Sequence, residues 1–317
     1  MSFQTLGADG LPPGVELFVP PPIDFNPLEE EDEVLLKHGF PRRPPSSSVE
    51  ELVQWKNLCS SAGLYVTPSF EAAEKEGSQP KSETKTNWSG ARIDASKDYK
   101  FFKVDGSWTV SRPHPPNKAW ESDKVWSSGR FKAGSWVGIG GHAGNTVYET
   151  LAWFEWIPES PWFVKGFQVA SGDLVKVEVE AIGDSKKSAY FRYFNLSAGT
   201  RTGFLYKPTE SGAKPVKGNC AEWIVEGHAG GMSYLGATFF FDCQAWEKKP
   251  ASKAGETADI KTRDLDGATF LTLAQDGDVF SAGVPKYSNN TVLGVIAEGR
   301  VKSLGVGTKK RRDSGTK

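Results

Sequence analysis

Sulfur is scarce in this chain: 317 residues carry three cysteines, Cys59, Cys220 and Cys243, and two methionines. An odd set with no C-x-x-C pair allows at most one disulfide, so the fold is not stapled for an oxidising compartment. No stretch of 18 apolar residues occurs, and Met1-Ser2-Phe3-Gln4 is not a basic segment leading into an apolar run. As written, the sequence has neither a membrane span nor a secretory leader, which predicts an intracellular protein. On that expectation the sequons at Asn87, Asn195 and Asn289 never meet the glycosylation machinery.

An excess of charge of one sign is also missing. Thirty-eight basic and 39 acidic residues leave a formal charge of -1, which provides no field to attract nucleic acid or an anionic membrane. The four histidines, His38, His114, His142 and His228, show no metal-ligand spacing. There is no G-x-S-x-G elbow and no Walker-type G-K-[ST] loop. Gly138-Ile139-Gly140-Gly141 has no βαβ context and reads as a tight turn. Carboxylates and aromatics remain as the groups that could carry chemistry.

Glycine (34), proline (20) and tryptophan (11) are plentiful, whereas long apolar helical stripes are not. This composition predicts an all-β fold rich in turns, in one large or two ordinary domains. Residues 1–84 read as a proline-rich, acidic N-terminal extension and linker: Pro12 to Pro22 is extended, Glu29 to Glu33 is acidic, and Glu71 to Lys85 is polar. Two short helices are predicted in it, near Glu30–His38 and Val49–Ser60. The second has Ser48 as N-cap and Val49, Leu52, Val53 and Trp55 as an apolar stripe. The extension either docks on the main domain or is a disordered arm.

Residues 85–300 hold ten of the eleven tryptophans and a series of short strand-like runs separated by Gly and Pro, which predicts a two-sheet sandwich. In Leu174–Glu180 the valines form one face, and Lys176, Glu178 and Glu180 form a face expected to be solvated. Residues 301–317 are a tail whose Lys309-Lys310-Arg311-Arg312 cluster is either a nuclear import signal or an ordinary charged terminus.

The stretch Ala221–Glu226 has the pattern of a strand with Trp223 and Val225 on one face and Glu222, Ile224 and Glu226 on the other. A carboxylate among apolar rings loses solvation and becomes a plausible proton shuttle. Against this stands the plainer reading of a strand glutamate that faces water.

Four strings in order, Asn87-Trp88-Ser89-Gly90, Ser135-Trp136-Val137-Gly138-Ile139, Trp153-Phe154-Glu155-Trp156-Ile157-Pro158 and Ala221-Glu222-Trp223-Ile224-Val225-Glu226, resemble the glutamic peptidases (eqolisins) of fungi and bacteria. Ser171–Val177 and the leader His38–Pro44 are similar to family segments as well, and the resemblance covers about residues 87–296. It implies a concanavalin A-like sandwich of two antiparallel sheets, preceded by a propeptide-like extension. The implied activity is that of a monomeric acid endopeptidase acting on polypeptides, without cofactor or metal and without nucleic-acid or membrane partners. Glu222 is then the general acid/base, with Trp88, Trp136, Glu155 and Glu226 lining or supporting the cleft. Such enzymes are largely secreted, while this sequence shows no leader.

In the family a glutamine stabilises the oxyanion from a strand between the second and third of these motifs. Here the interval His142–Ala152 contains no glutamine and is about one strand short, and Gly140 stands where relatives place an aspartate. A lost strand is expected to leave two sheet edges unpaired. The chain is then an inactive relative that keeps the cleft, an active one with Asn145 as substitute amide donor, or the translation of an incomplete gene. A rival from another class is a carbohydrate-binding or glycan-cleaving sandwich with Trp136, Trp153, Trp156 and Trp162 as stacking platforms. Glu222 and Glu226 cannot serve it as a catalytic pair. Four positions on one strand separate them by roughly 13 Å at about 3.3 Å per residue, against the roughly 5–5.5 Å a retaining glycosidase needs.

Overall fold

The computed structural model of the chain describes residues 6–44, 48–61, 63–72, 88–110, 126–132, 136–143, 148–156, 159, 161–183, 187–209, 215–226, 237–249, 258–275, 278–285 and 292–301. The N-terminal extension forms β1 (Val15–Leu17), α1 (Asp32–Lys37), α2 (Val49–Ser61), β2 (Leu64–Tyr65) and β3 (Ser69–Ala72). Then follow β4 (Trp88–Asp94), β5 (Lys100–Thr109), β6 (Trp126–Lys132), β7 (Trp136–Ala143), β8 (Tyr148–Glu155) and β9 (Trp162–Lys165). β10 (Leu174–Ile182), β11 (Ser188–Asn195), β12 (Thr200–Tyr206), β13 (Cys220–Glu226) and β14 (Ala237–Lys249) come next. The described strands end with β15 (Asp259–Arg263), β16 (Thr269–Gln275), β17 (Asp278–Pro285) and β18 (Leu293–Val301).

Pairing is antiparallel except for the short β12–β2 contact. One layer runs β3-β9-β8-β7-β6-β13-β4-β16, and the other runs β18-β14-β5-β10-β11-β12-β1 with β15 beside β14. The β16–β17–β18 ladder joins them at one edge. Alternation puts Ala221, Trp223 and Val225 of β13 and Val175, Val177 and Val179 of β10 into the core between the layers. Phe154 of β8 meets Phe191, Phe204 and Tyr206 there at centroid separations of 5.3, 4.7 and 5.1 Å. The Trp223 indole N–H donates across the sandwich to the backbone oxygen of Asp105 at 2.8 Å. The three cysteines are free and buried.

The extension docks on the main domain. Val15 and Phe70 enter the main core, and Leu35, Phe40, Trp55 and Cys59 build a second small one. β1 and β2 pair with β12, while β3 pairs with β9, so the extension covers an edge of each layer. Arg201 donates to the His38 carbonyl at 2.7 Å with its guanidinium 3.8 Å from the Phe40 ring centre. Both helices lie close to their expected limits, but only half of the expected stripe on α2 holds: Leu52 and Trp55 pack inward with Cys59, while Val49 and Val53 are exposed. Glu71 and Ala72, read as linker, belong to β3, and the rest of that linker lies outside the described residues.

The carboxylates of β10 correct a further expectation. Glu178 and Glu180 are buried, because the extension covers the outer face of this layer. Burial is tolerable because cations alternate with them across the strands. Lys103 reaches Glu178 at 2.7 Å, Lys176 reaches Asp105 at 3.0 Å, and Arg192, itself fully buried, bonds Glu178 and, at 2.9 Å, Glu180. Arg42 of the extension sits 3.6 Å from Glu180. A cavity of about 620 Å³ lies between the extension and this lattice, lined by Trp55, Lys103, Asp105, Glu178 and Trp246 among others.

Gly138–Gly141 is also not a turn; it lies within β7. The closing strands form as expected in outline. The basic tail lies outside the described residues. Asn195, one of the three sequons, is buried and donates to the Gln168 carbonyl and to Asp173, whereas Asn87 and Asn289 lie outside the described residues.

Candidate active site

β13 is an inner strand of the first layer, held by β4 on one edge and β6 on the other. With both edges paired its backbone has little freedom, so the side chains it projects are fixed in place. Glu222 projects from the outer face, away from the core that takes Trp223, and is only 1% exposed. The water-facing reading of this glutamate is therefore wrong. Ile224, on the same face, is buried too.

Among the described side chains, three neighbours bear on this carboxylate. Arg92 lies directly opposite Glu222 in the β4–β13 register, with Nε 3.9 Å from Oε1. That distance makes the contact Coulombic rather than a hydrogen bond. The Cys220 thiol, two positions back on the same face, donates to the same oxygen at 3.6 Å. Asp94, opposite Cys220, holds the arginine: its Oδ1 accepts from Arg92 Nε at 3.0 Å and Nη2 at 2.7 Å. The hydrogen bond to Asp94 is the main reason the guanidinium's proton affinity rises further, and the charges of Asp94 and Glu222 add to it against a burial cost.

Register decides which other positions share this face, since paired residues lie on the same side and neighbours alternate. Glu226 pairs with Trp88 on β4, and Ile224 pairs with Arg130 on β6. Two residues on from Arg130, Lys132 pairs with Trp136 of β7, and Trp136 pairs with Glu155 of β8. Positions 88, 136, 155, 222 and 226, the five that the family resemblance assigns to the site, therefore fall on one face of the first layer. Glu155 is half-buried. Three strand spacings of about 4.8 Å put its backbone roughly 14 Å from that of Glu222, so it can line the site but not share a proton with Glu222. The side chains of Trp88, Trp136 and Glu226 lie outside the described residues, as does Asn145 entirely.

The short interval before Glu155 does not open the sheet as expected. β7 and β8 pair directly over eight residue pairs, from Trp136–Glu155 to Ala143–Tyr148. The backbone groups that a missing strand would have bonded find each other instead, so no edge is exposed there. Of the aromatic platforms proposed for sugar stacking, Trp156 and Trp162 are part of the core and Trp153 is buried. Glu178 and Glu180 are locked in ion pairs. Among the described residues no cluster of three or more His, Cys, Asp or Glu is arranged to hold a metal ion.

Sequence reasoning misses Arg92 and the proximity of Cys220. Only the pairing of the Trp88–Asp94 strand against Cys220–Glu226 brings them to Glu222, and no local pattern in either strand announces that register.

Residues 86–293 match the family model described as Peptidase A4 family. Aspergillopepsin-2 of Aspergillus niger is 26% identical over 243 residues, 68% of this chain and 80% of that protein. Scytalidopepsin B of Scytalidium lignicola is 27% identical over 203 residues, 60% of this chain and 64% of that protein. Among solved structures, scytalido-glutamic peptidase with a peptide-based transition state analog superposes with a TM-score of 0.49 at 19% identity, covering 67% of this chain and 98% of the other. Aspergilloglutamic peptidase from Aspergillus niger gives 0.41 at 20% identity, over 62% and 99%. With more than half of its length matched by the family model, and with Glu222 on an inner strand of a β-sandwich, the chain belongs to the peptidase A4 family of glutamic peptidases.

Proposed function

We propose that this chain is an endopeptidase of the glutamic type, working at acid pH, in which Glu222 is the general acid/base. The observation that carries the reading is the enclosed carboxylate on β13, with all five positions assigned to the cleft on the same face. A carboxylate held in low-dielectric surroundings exerts a strong pull on the proton of a nearby water, and is fixed in place to return that proton later. In the forward step Glu222 takes a proton from water, whose oxygen attacks the carbonyl carbon of the scissile peptide bond. In the return step it gives that proton to the leaving nitrogen. A polypeptide lying along the face meets the positions of Trp88, Trp136 and Glu155 as lining.

The shortened β7–β8 hairpin carries no glutamine. Losing one oxyanion donor typically costs about 10²–10³ in rate, so the enzyme is expected to be slow beside relatives that carry the full dyad. The test is cleavage of an unfolded protein substrate across acid to neutral pH by the parent and by Glu222→Gln. Activity that the variant loses supports the assignment. Equal activity in both overturns the role of Glu222, and no cleavage by a folded parent overturns the peptidase reading itself.

A further inference from the structure

We propose that Arg92 is the oxyanion-stabilising group of the Glu222 site, supplying from β4 the hydrogen-bond donors that the short β7–β8 hairpin lacks. The inference rests on the Glu222 reading above. Its geometric basis is the separation of 3.9 Å between Arg92 Nε and Glu222 Oε1. This is too long for a direct hydrogen bond, and the one Nε hydrogen goes to Asp94, so the donors that can meet a ligand beside Glu222 are the remaining N–H groups of Nη1 and Nη2. On the proposal, a water hydrogen-bonded to Oε1 lies about 2.8 Å from it, and the carbonyl it attacks turns its oxygen towards those N–H groups.

The second support is how the guanidinium is held. Arginine has five N–H donors in a rigid fork, and two of them are directed to Asp94 Oδ1. That anchor orients the plane in advance and leaves donors over for a ligand, which is the arrangement electrostatic preorganisation requires. Exposure points the same way: the Arg92 side chain is 40% exposed while that of Glu222 is 1% exposed, so the arginine is the member of the pair open to an incoming chain. An exposed pair with Asp94, two residues along the same strand, adds little to stability. The arginine is thus poorly explained as a structural element.

The step balances as a hydrolysis. Glu222 removes a proton from water, the oxygen forms a bond to the carbonyl carbon, and the π pair moves onto the carbonyl oxygen, where Arg92 N–H groups donate to it. Collapse restores the C=O bond, breaks the C–N bond, and sends the proton from Glu222 to the nitrogen. Arg92 stays charged throughout, since a guanidinium does not titrate in the working range. Among the described side chains, the charged groups facing Glu222 are Arg92 and Asp94 on β4, beside the Cys220 thiol on β13, and the register adds the positions of Arg130 and Lys132 on β6.

The experiment compares the full-length parent with Arg92→Met, Arg92→Lys and Glu222→Gln, each first shown to unfold at the parent's temperature. Arg92→Met is expected to lower kcat about 10²–10³-fold with KM within about threefold, while Arg92→Lys retains part of the rate. The acid limb of the Arg92→Met rate profile is expected to move to higher pH, because a carboxylate without its cation takes up a proton sooner. A purely structural arginine moves neither the limb nor kcat alone. Arg92→Met with kcat within about threefold of the parent, while Glu222→Gln is dead, overturns the role of Arg92 and leaves the peptidase reading intact. A parent that does not turn over sinks the peptidase reading, and binding then decides for Arg92. A phosphinate tripeptide, which mimics the tetrahedral anion, should bind the parent about 10²-fold tighter than the matching amide, and Arg92→Met should erase that preference. Equal binding of phosphinate and amide by the parent overturns the inference.

Discussion

Asp105→Asn probes the pH at which the sandwich is most stable. Asp105 is 4% exposed, and its only described ion pair is with Lys176 at 3.0 Å. Burial raises its proton affinity from 3.8 to about 6, outweighing the opposing charges of Lys176 and Lys103. Because the folded value lies above the unfolded one, its contribution to stability is complete below about pH 3.8 and is lost as pH rises through about 6. At 1.36 kcal/mol for each tenfold change, the loss amounts to roughly 2 kcal/mol between pH 4 and pH 7. Glu178 has the opposite sign. Burial pushes it up, but Lys103 and Arg192 prevail and hold it at about 2 against 4.5. Its contribution is therefore present above about pH 4.5 and disappears as pH falls towards 2.

The two carboxylates, side by side in the β5–β10 register, thus predict a stability maximum near pH 4, where the Asp105 proton is in place and Glu178 still carries its charge. Asparagine cannot ionise, so the variant should lose the slope on the neutral side only. The assay is urea unfolding of parent and variant at intervals between pH 4 and 7. The parent is expected to drop by roughly 2 kcal/mol more than the variant over that interval. Parallel profiles for the two proteins would show that Asp105 is not buried as the charged group described here, and the argument would fail.

Two further substitutions test the layers separately. Arg192→Met leaves Glu178 with Lys103 alone and deprives Glu180 of its buried partner, so a loss of about 3–5 kcal/mol is expected in urea unfolding at neutral pH. A loss under about 1 kcal/mol would mean the lattice is hydrated. Gly90→Ala acts on the first layer: φ is +146° and a Cβ would stand 2.0 Å from the Trp223 backbone oxygen, so β4 cannot keep its place on β13. A drop of about 3 kcal/mol or more, with loss of any activity that depends on Glu222, is expected. An unchanged melting temperature would contradict the register that brings Arg92 to Glu222.

Local alternation was legible and distant coverage was not. The strand Cys220–Glu226 was read to within one residue, because Glu222 and Glu226 alternate with Trp223 and Val225, although Ile224 is an apolar residue on the acidic face. The core valines of β10 were read for the same reason, yet their polar neighbours were assigned to water. Periodicity says which residues share a face, never what lies over it, and the cover here comes from residues well over a hundred positions earlier. Gly138–Gly141 was misread because glycine signals a turn in isolation, while within β7 the partners on β6 and β8 impose the strand. The five positions assigned to the cleft came from short motifs of the family resemblance, whereas Arg92 needed the β4–β13 register, which is a property of two strands separated by more than a hundred residues.

The same geometry bears on the N-terminal extension. Glu222 projects from the outer face of the first layer, whereas Arg42 and the Trp55 helix of the extension lie over the outer face of the second, with the core between them. The described residues of the extension therefore do not cover the face that carries Glu222. Taking the extension away would withdraw Val15 and Phe70 from the core, expose the edges of β9 and β12, and hydrate Glu178, Glu180 and Arg192 at once. Open sheet edges and a stripped ion lattice are both costly, and neither is recovered elsewhere in the described residues. The resemblance to a propeptide lies in its place along the chain, while its contacts are those of a third layer that the sandwich needs in order to keep its second sheet dry.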